Sequence, residues 1–470
     1  MSSVKFSKKY TGLFIYIFSV FIIFIFSIFN FTNLKDDVFY HSQDGSDAIV
    51  RQTLVCQDKY GQNFLGSNIV LIKDSKLINS ETCEKDNATP YASQLGIQAK
   101  ITGAMQRTSS LSVDRYFVLA KIFSALTLAA TLALFVLFVR KQFGTPQSII
   151  VLIFILFSQW VLLFAQSVYW QEFLLFAPFI FTLLSYPKLN ANKKISTILF
   201  YAVIFVLFSI KCLAGYEYLS TIVISIIVAV LYHELKKYGT INKQLLSSMV
   251  KKSLIIFFVC FFSFICALTI HFIQLNSYFH NSQTSKNAII TRINERTIGG
   301  ESKFYYDALY NFKESAPAVY EQLNHYVHID DMKQVAQINP QSVKYKVQLL
   351  SFINYSFLPV LQIPLVSQPL LASIFGSFII LYALVVLLAI HLIKKTNKSK
   401  LNSKNRSIYA ASVCSIVSLA APLSWLILSR GHAIVHPHIN GILYYIPTLL
   451  FIYIIFAIYI NRLYLKIVNK

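Results

Sequence analysis

The chain has 470 residues, 56% of them hydrophobic, and a mean hydropathy of +0.57, which lies outside the range of ordinary soluble domains. Its net charge of +22 is concentrated in short clusters beside apolar runs, such as Lys251-Lys252 and Lys394-Lys395. Such clusters are typical of topology signals and of contacts with anionic lipid headgroups. The charge therefore argues for a membrane protein and against a nucleic-acid-binding protein.

Ten apolar runs have about the length of a membrane-spanning helix, although two of them are short. They cover residues 12–31, 116–139, 148–167, 172–186, 195–213, 219–232, 253–274, 369–393, 408–428 and 442–460. Solid apolar runs predict helices rather than barrel strands, because unpaired backbone groups cannot stay in lipid. The first run lacks the small-x-small cleavage site of a signal peptide, so we expect an uncleaved anchor. The sequence predicts an all-α polytopic protein with about ten spans.

The connections between these runs alternate strictly in charge. Six predicted inner segments hold 22 of the 42 Lys and Arg but only one of the 20 Asp and Glu, which is Glu234. The six segments are residues 1–11, 140–147, 187–195, 233–252, 394–407 and 461–470. The positive-inside rule places them, and both termini, in the cytoplasm. Acid pairs and most histidines then lie at the periplasmic or extracellular face of a cytoplasmic membrane.

Two outer segments are long enough to form large loops. The expected organisation is an N-terminal anchor (1–31), a first periplasmic loop (32–115), a transmembrane bundle (116–274), a second periplasmic or interfacial segment (275–368) and C-terminal transmembrane helices (369–470). The first loop contains a short β-like run at 67–72. It also contains Cys56 and Cys83, which we expect to form a disulfide in an oxidising compartment, with two free thiols as the alternative.

An acidic pair, Asp36-Asp37, follows the first span by about five residues. One carboxylate there could act as a general base while the other orients an acceptor or a metal. The alternative is a solvated acidic pair that opens a loop.

Ionisable residues also occur between the fifth and sixth spans, in the stretch 209–218. Lys211 and Glu217 lie at the membrane boundary, where charged residues are costly and usually functional. The alternative is a short hairpin with a snorkelling lysine and interfacial Tyr216 and Tyr218.

A compact group of donors follows the ninth span, in the stretch 429–440. Arg430 and His432 are candidates to bind a phosphate or pyrophosphate headgroup, since a fixed guanidinium matches phosphate oxygens. His436 and His438 are weaker candidates for a metal site, because the spacing with Pro437 is not a standard ligand set. A purely structural cluster is the remaining interpretation.

Three weaker signals join these groups. Glu172 stands at the outer start of the fourth span, and Gln94 and Gln98 offer amide groups suited to sugar hydroxyls. Arg292 and Arg296 are four residues apart, so one helical face could present both to a phosphate, with a solvated basic turn as the alternative.

These features together resemble the GT-C glycosyltransferases, polytopic enzymes that use polyprenyl-phosphate sugar donors. The resemblance lies in the acid pair after the first helix, the large first outer loop, Gly-Tyr-Glu-Tyr at 215–218 and Arg-Gly-His…His-x-His…Asn at 430–440. It implies that Asp36 or Asp37 is the catalytic base or a metal ligand. The usual second acid has no clear counterpart, and Glu172 and Glu217 are both candidates.

The resemblance implies transfer of a sugar from a polyprenyl-phosphate donor to a glycan, lipid or protein acceptor at the outer membrane surface. No cofactor is certain, although a divalent cation (Mg or Mn) is compatible with the acid pair. An O-antigen-type polymerase or ligase is the alternative and would depend on Arg292, Arg296 and Arg430. A flippase or transporter is less favoured, because the middle of each span is nearly free of charge.

Overall fold

The computed structural model describes residues 2–31, 46–61, 69–73, 76–78, 83–189, 194–297, 360–361, 376–397, 402–435 and 437–469. These residues are mostly helical. The first half contains α1 (Ser2–Ile28), α2 (Asp47–Tyr60), β1 (Ile69–Lys73), β2 (Lys76–Ile78), β3 (Ala88–Pro90), α3 (Ile97–Thr108), α4 (Val113–Phe143), α5 (Thr145–Leu156), α6 (Gln159–Phe164), α7 (Phe173–Ser185) and α8 (Lys194–Ala214). The second half contains α9 (Leu219–Tyr238), α10 (Lys243–Phe279), α11 (Ser282–Thr297), α12 (Phe378–Asn397), α13 (Ser403–Val417), α14 (Ala420–Leu428), α15 (Arg430–Val435) and α16 (Thr448–Val468). Short 3-10 helices cover Lys85–Asn87, Tyr186–Lys188 and Pro437–Tyr445.

Within the described residues, eight helical segments are long and apolar enough to cross a membrane. One of them, Ser403–Leu428, combines α13 and α14, and the apolar helices α5 and α7 are shorter. The span expected at 148–167 is not one continuous helix, because the chain breaks between α5 and α6. There the Ser158 hydroxyl bonds to Tyr453 at 2.8 Å and the Gln159 N–H donates to the Val360 carbonyl at 3.3 Å. Long-range hydrogen bonds thus replace the helical ones at this point.

The centre of the bundle is formed by α16 and α9. Every residue from Leu449 to Ile458 in α16 is buried, as expected of a helix that is apolar on all sides. It packs against α5, α12 and α13, while α9 packs against α7, α10, α13 and α14. These two helices hold the remaining elements in place.

Other helices expose large apolar side chains on their outer faces. Phe14 in α1 is 68% exposed, Ile195 in α8 is 74% exposed and Phe262 in α10 is 57% exposed. A soluble monomer rarely exposes such extensive apolar surface. These faces fit contact with lipid and support the assignment to a membrane.

A small antiparallel sheet is the exception to the all-α expectation. Its strand order is β2-β1-β3, and β1 overlaps the β-like run expected at 67–72. A disulfide between Cys56 and Cys83 ties α2 to the segment before β3, as the sequence predicted. The sheet and the disulfide belong to the same loop between α1 and α3.

The segments that connect the helices contact one another at two ends of the bundle. The site end holds the pairs Asp47–Ser167, Gln98–Tyr169 and Arg296–Glu217, which come from predicted outer segments and, for Ser167, from the predicted outer end of a span. The basic end holds the pairs Lys252–Glu234 and Arg406–Lys237, from predicted inner segments. Segments predicted to share a membrane face therefore contact one another.

Candidate functional site

The central feature of the site end is an enclosed cluster of three charged side chains. Arg296 Nη1 lies 3.1 Å from Glu217 Oε1, and Lys211 Nζ lies 3.7 Å from Glu217 Oε2. The side chains of Lys211 and Glu217 are 2% and 3% exposed. Lys211 is therefore not a snorkelling lysine; it also donates to the Gly215 carbonyl at 3.0 Å, which closes the turn between α8 and α9.

The turn leaves no room for a side chain at Gly215. A Cβ there would meet the Glu217 carboxylate and would lie 2.7 Å from Gln94 Oε1. Gln94 is buried, and neither polar atom of its amide has a hydrogen-bond partner within the described residues. The turn and Gln94 therefore lie in close contact, which places Gln94 beside the charged cluster. Its unpaired amide is able to bind a further polar partner.

A cavity of about 360 Å³ lies beside the cluster. Its polar lining includes Tyr216, His271, Arg292, Arg296 and Trp425. The remaining walls are mostly aliphatic and aromatic, contributed by α10, α11 and α14. Within the part of the chain described, His271 Nε2 and the Trp425 indole N–H have no hydrogen-bond partner. The cavity therefore combines apolar walls with two arginines and unpaired polar groups, which is the usual composition of a ligand site.

Tyr218 anchors the turn in an aromatic cage. Its ring stacks on Trp170 at 5.9 Å and meets Trp425 edge-on at 5.2 Å and His432 at 6.1 Å. Tyr218 is fully buried and has a φ of 65°. A non-glycine residue in the left-handed region is strained and persists only when its surroundings hold it, often at functional sites. The alternative interpretation, in which Tyr218 lies in an interfacial aromatic belt, is wrong, because Tyr218 is buried inside the protein.

Asp47 fixes the loop that carries Tyr169 and Trp170. Its carboxylate accepts hydrogen bonds from the Ser167 hydroxyl at 2.8 Å and from the backbone N–H groups of Tyr169 at 2.8 Å and Val168 at 3.2 Å. Burial raises the pKa of Asp47 to about 6, although these hydrogen bonds lower it in part. The same loop accepts a hydrogen bond from Gln98, whose amide donates to the Tyr169 carbonyl at 2.9 Å. Gln98 is thus connected to the charged cluster through Tyr169, which lies within electrostatic range of Glu217 and Arg296.

Glu172 lies on the other side of the aromatic cage. It is 2% exposed and faces a narrow space lined by Phe164, Trp170, Tyr218 and Ile442. Neither carboxylate oxygen has a hydrogen-bond partner within the described ranges. A carboxylate without partners is costly to bury as an anion. Glu172 is therefore close to the site but separated from the cavity by the rings.

Among the remaining predicted phosphate ligands, Arg292 and Arg430 lie at or beside the cavity, whereas His432 belongs to the aromatic cage. Arg292 lines the cavity and pairs with Glu295 at 2.7 Å on the same helix. Arg430 begins α15, directly after the cavity-lining Ser429, and α15 packs against α11. His432 is buried against Trp425 at 5.4 Å, so its ring supports the aromatic cage.

Several predicted residues cannot be placed. Asp36, Asp37 and His436 lie outside the described residues, and so does the side chain of His438. In the ranges that the structure describes, no group of three or more His, Cys, Asp or Glu could hold a metal ion. The predictions of a base at Asp36 or Asp37 and of a divalent cation stay predictions.

Sequence reasoning brought Lys211 and Glu217 forward together and Arg296 separately, but it did not predict the ion pair between Arg296 and Glu217. It also missed the roles of Asp47 and Trp425. An aspartate at the start of a helix, such as Asp47, carries no local signal of such a role. Trp425 lies in an apolar run, and its polar indole N–H is the feature that could have indicated a site there.

Comparison of the chain with protein-family models, with curated proteins and with solved structures gives no match.

Proposed function

We propose that the protein is a membrane glycosyltransferase that moves a sugar from a polyprenyl-phosphate donor to a cell-envelope glycan, lipid or protein acceptor. The observation that carries this proposal is the enclosed cluster of Lys211, Glu217 and Arg296, whose Arg296 lines a largely apolar cavity. Buried ionisable groups in a membrane protein are costly and mark substrate sites. The cavity offers guanidinium groups for phosphate, apolar walls for an isoprenoid chain and unpaired polar groups for sugar hydroxyls.

Arg296 and Arg292 are the proposed phosphate ligands, since both line the cavity and a guanidinium matches phosphate oxygens. The oxygens of Glu217 already face two cations. This arrangement favours a role for Glu217 in positioning Arg296 over a role as proton acceptor. We therefore assign the general base to Asp36 or Asp37, in keeping with the GT-C resemblance.

The proposed reaction is a substitution at the anomeric carbon of the donor. The acceptor hydroxyl oxygen forms a bond to C1, and the bond between C1 and the phosphate oxygen breaks with its electron pair going to the phosphate. Asp36 or Asp37 takes the proton of the acceptor hydroxyl. Arg292 and Arg296 place positive charge where the departing polyprenyl phosphate gains negative charge.

The proposed location is the outer face of the cytoplasmic membrane. Counting α5 with α6 and α7 as the two shorter crossings gives ten spans, with both termini in the cytoplasm. Support comes from the segregation of lysine and arginine along the chain and from the grouping of the same segments by contact at the two ends of the bundle. A lipid-linked substrate fits this placement, because its phosphate lies at headgroup depth.

An O-antigen-type polymerase or ligase is the second candidate. The observation that favours it is that Arg292 and Arg296 are the charged groups facing the cavity. Such an enzyme would depend on these arginines and Arg430 rather than on Asp36 or Asp37.

The decisive experiment compares lipid-linked sugars and surface glycans in strains that carry Arg296→Gln, the double variant Asp36→Asn/Asp37→Asn, or the control Arg51→Gln. Arg51 pairs with Asp114 at 2.8 Å on an exposed surface, so its loss removes an arginine ion pair away from the cavity. Membrane levels of each variant are measured first. Lipid-linked intermediates and glycans are then compared by mass spectrometry.

A transferase predicts that the Arg296 variant and the Asp36/Asp37 variant both accumulate the polyprenyl-phosphate sugar and the unmodified acceptor. A polymerase predicts that the Arg296 variant accumulates single lipid-linked repeat units while the Asp36/Asp37 variant is normal. If the two variants insert normally and change neither lipid-linked sugars nor glycans, both proposals fail.

A further inference from the structure

A second and larger cavity lies at the basic end of the bundle. Its volume is about 720 Å³, and its lining includes Lys141, Lys236, Lys237 and Lys252. These lysines come from the last turns of α4 and α9 and from the first part of α10. The consecutive helices α9 and α10 and the distant helix α4 thus direct cationic side chains into one space.

The cavity has a surplus of positive charge. Glu234 is the carboxylate that lines it within the described residues, and this group is already engaged by three contacts. Its oxygens lie 2.7 Å from Lys252 Nζ and accept hydrogen bonds from Tyr186 and Ser248, each at 2.8 Å. The charge of Glu234 therefore offsets that of Lys252 and leaves Lys141, Lys236 and Lys237 to attract an anion.

Lys236 is held in position to face such an anion. Its ammonium group donates to the Gln142 side chain at 2.5 Å, and it lies within electrostatic range of Lys141. Two ammonium groups held near each other repel, and a shared anion relieves that repulsion. A phosphate group, with several acceptor oxygens, can bind both at once.

The surroundings of the cavity favour a lipid over a soluble anion. Apolar residues such as Leu183, Leu184 and Pro187 line one wall. Thr197 from α8 also lines the cavity, while the adjacent Ile198 is 65% exposed on the apolar outer face of the same helix. A headgroup in the cavity would therefore have its acyl chains beside a lipid-facing surface.

We propose that this cavity binds the phosphate of an anionic phospholipid through Lys141, Lys236 and Lys237. The apolar wall accommodates the start of the acyl chains. This site is separate from the charged cluster of Lys211, Glu217 and Arg296 and does not depend on the proposed transfer activity.

Native mass spectrometry of the full-length protein, exchanged from bilayers of phosphatidylcholine with phosphatidylglycerol, tests the proposal. Lys141→Gln/Lys236→Gln is compared with the control Lys243→Gln/Lys251→Gln, which removes the same charge from exposed positions of α10 outside the cavity. We expect the cavity variant to lower phosphatidylglycerol affinity about 10-fold to 100-fold, because two charge-assisted contacts are lost. The control is expected to change it by less than about twofold.

Thr197→Trp provides a test that leaves every charge in place, because the substitution is neutral and its ring would obstruct the cavity beside the lysines. It should weaken phosphatidylglycerol binding by a similar factor, with an unchanged thermal midpoint as the check on folding. Equal losses in the two lysine variants, or full binding by a folded Thr197→Trp protein, would overturn the proposal. Binding of inorganic phosphate or glycerol 3-phosphate at the same affinity as the lipid would assign the cavity to a soluble phosphate and overturn the lipid assignment.

Discussion

The two ends of α9 carry buried glutamates in contrasting surroundings. Glu217, just before the helix, contacts Lys211 and Arg296, whose side chains are 2% and 17% exposed. Glu234, near the end of the helix, contacts Lys252, which is 26% exposed, and two hydroxyl groups. The first glutamate is enclosed with two cations, while the second pairs with one partly exposed cation and accepts from two hydroxyl groups beside an open, basic cavity.

The contrast shows how burial changes the contribution of an ion pair to stability. An enclosed pair is costly to form, and removal of one partner leaves an uncompensated charge. Lys252 is partly exposed and screened by solvent, so it tolerates loss of its glutamate. The Glu217 cluster is thus a rigid arrangement that holds Arg296 at the cavity, whereas the Glu234 group leaves its neighbouring lysines available.

The largest expected effect is on the enclosed cluster. Glu217→Ala should lower the free energy of unfolding by about 3–5 kcal/mol, because two buried cations lose their counter-charge. Unfolding by sodium dodecyl sulfate in mixed micelles measures this value.

The triple variant Lys211→Met/Glu217→Gln/Arg296→Met removes every charge of the cluster. It should be less destabilised than Glu217→Ala alone, since no ion remains unpaired. A triple variant that is less stable than the single one would show that packing, and not charge, dominates at this site.

The apolar helices could be predicted, and Lys211, Glu217 and Arg296 could be selected as candidates, because hydropathy and charge at a membrane boundary are local signals. The pairing of Arg296 with Glu217 could not, because it depends on how α11 packs against the turn after α8. The break between α5 and α6 could not be predicted from the sequence, because it depends on hydrogen bonds to residues far along the chain. The burial of Tyr218 could not be predicted either, because an aromatic residue at a helix end fits both a membrane interface and a protein core.

Asp47 provides the next largest effect, as a buried carboxylate held by hydrogen bonds from Ser167 and backbone N–H groups. Its pKa in the folded protein is raised by burial from 3.8 to about 6, so the folded state binds the proton more tightly than the unfolded state. The stabilising contribution of Asp47 is then complete below about pH 4 and is lost as the pH rises through 6. The difference amounts to about 3 kcal/mol.

Thermal midpoints from pH 4 to pH 7 measure this dependence, with Asp47→Asn as the matched variant. The variant should lack the decline between pH 4 and 6, because its amide does not titrate. A decline that persists unchanged in Asp47→Asn would assign it to another group.

Gly215→Ala tests how tightly the turn encloses Glu217. The added methyl group would meet the Glu217 carboxylate and the Gln94 amide, which should cost about 1–3 kcal/mol by overpacking. Because the turn also borders the cavity, donor turnover should fall with stability. Gln94→Ala in the same chain should recover part of the loss by making space, and no recovery would locate the strain in the Glu217 contact.

Glu234→Gln should have the smallest effect on stability, about 1 kcal/mol, because Lys252 is partly exposed and the amide retains one of the two hydroxyl contacts. The exposed pair of Arg51 with Asp114 supplies the control, and Asp114→Asn should change stability by less than about 0.5 kcal/mol. The same Glu234→Gln substitution releases Lys252 into the basic cavity, so phosphatidylglycerol affinity should rise severalfold by added attraction. A loss of stability as large as that of Glu217→Ala would mean that the two glutamates are equally enclosed. A small loss of stability with tighter lipid binding would show that Glu217 holds a cation in position, whereas Glu234 neutralises one.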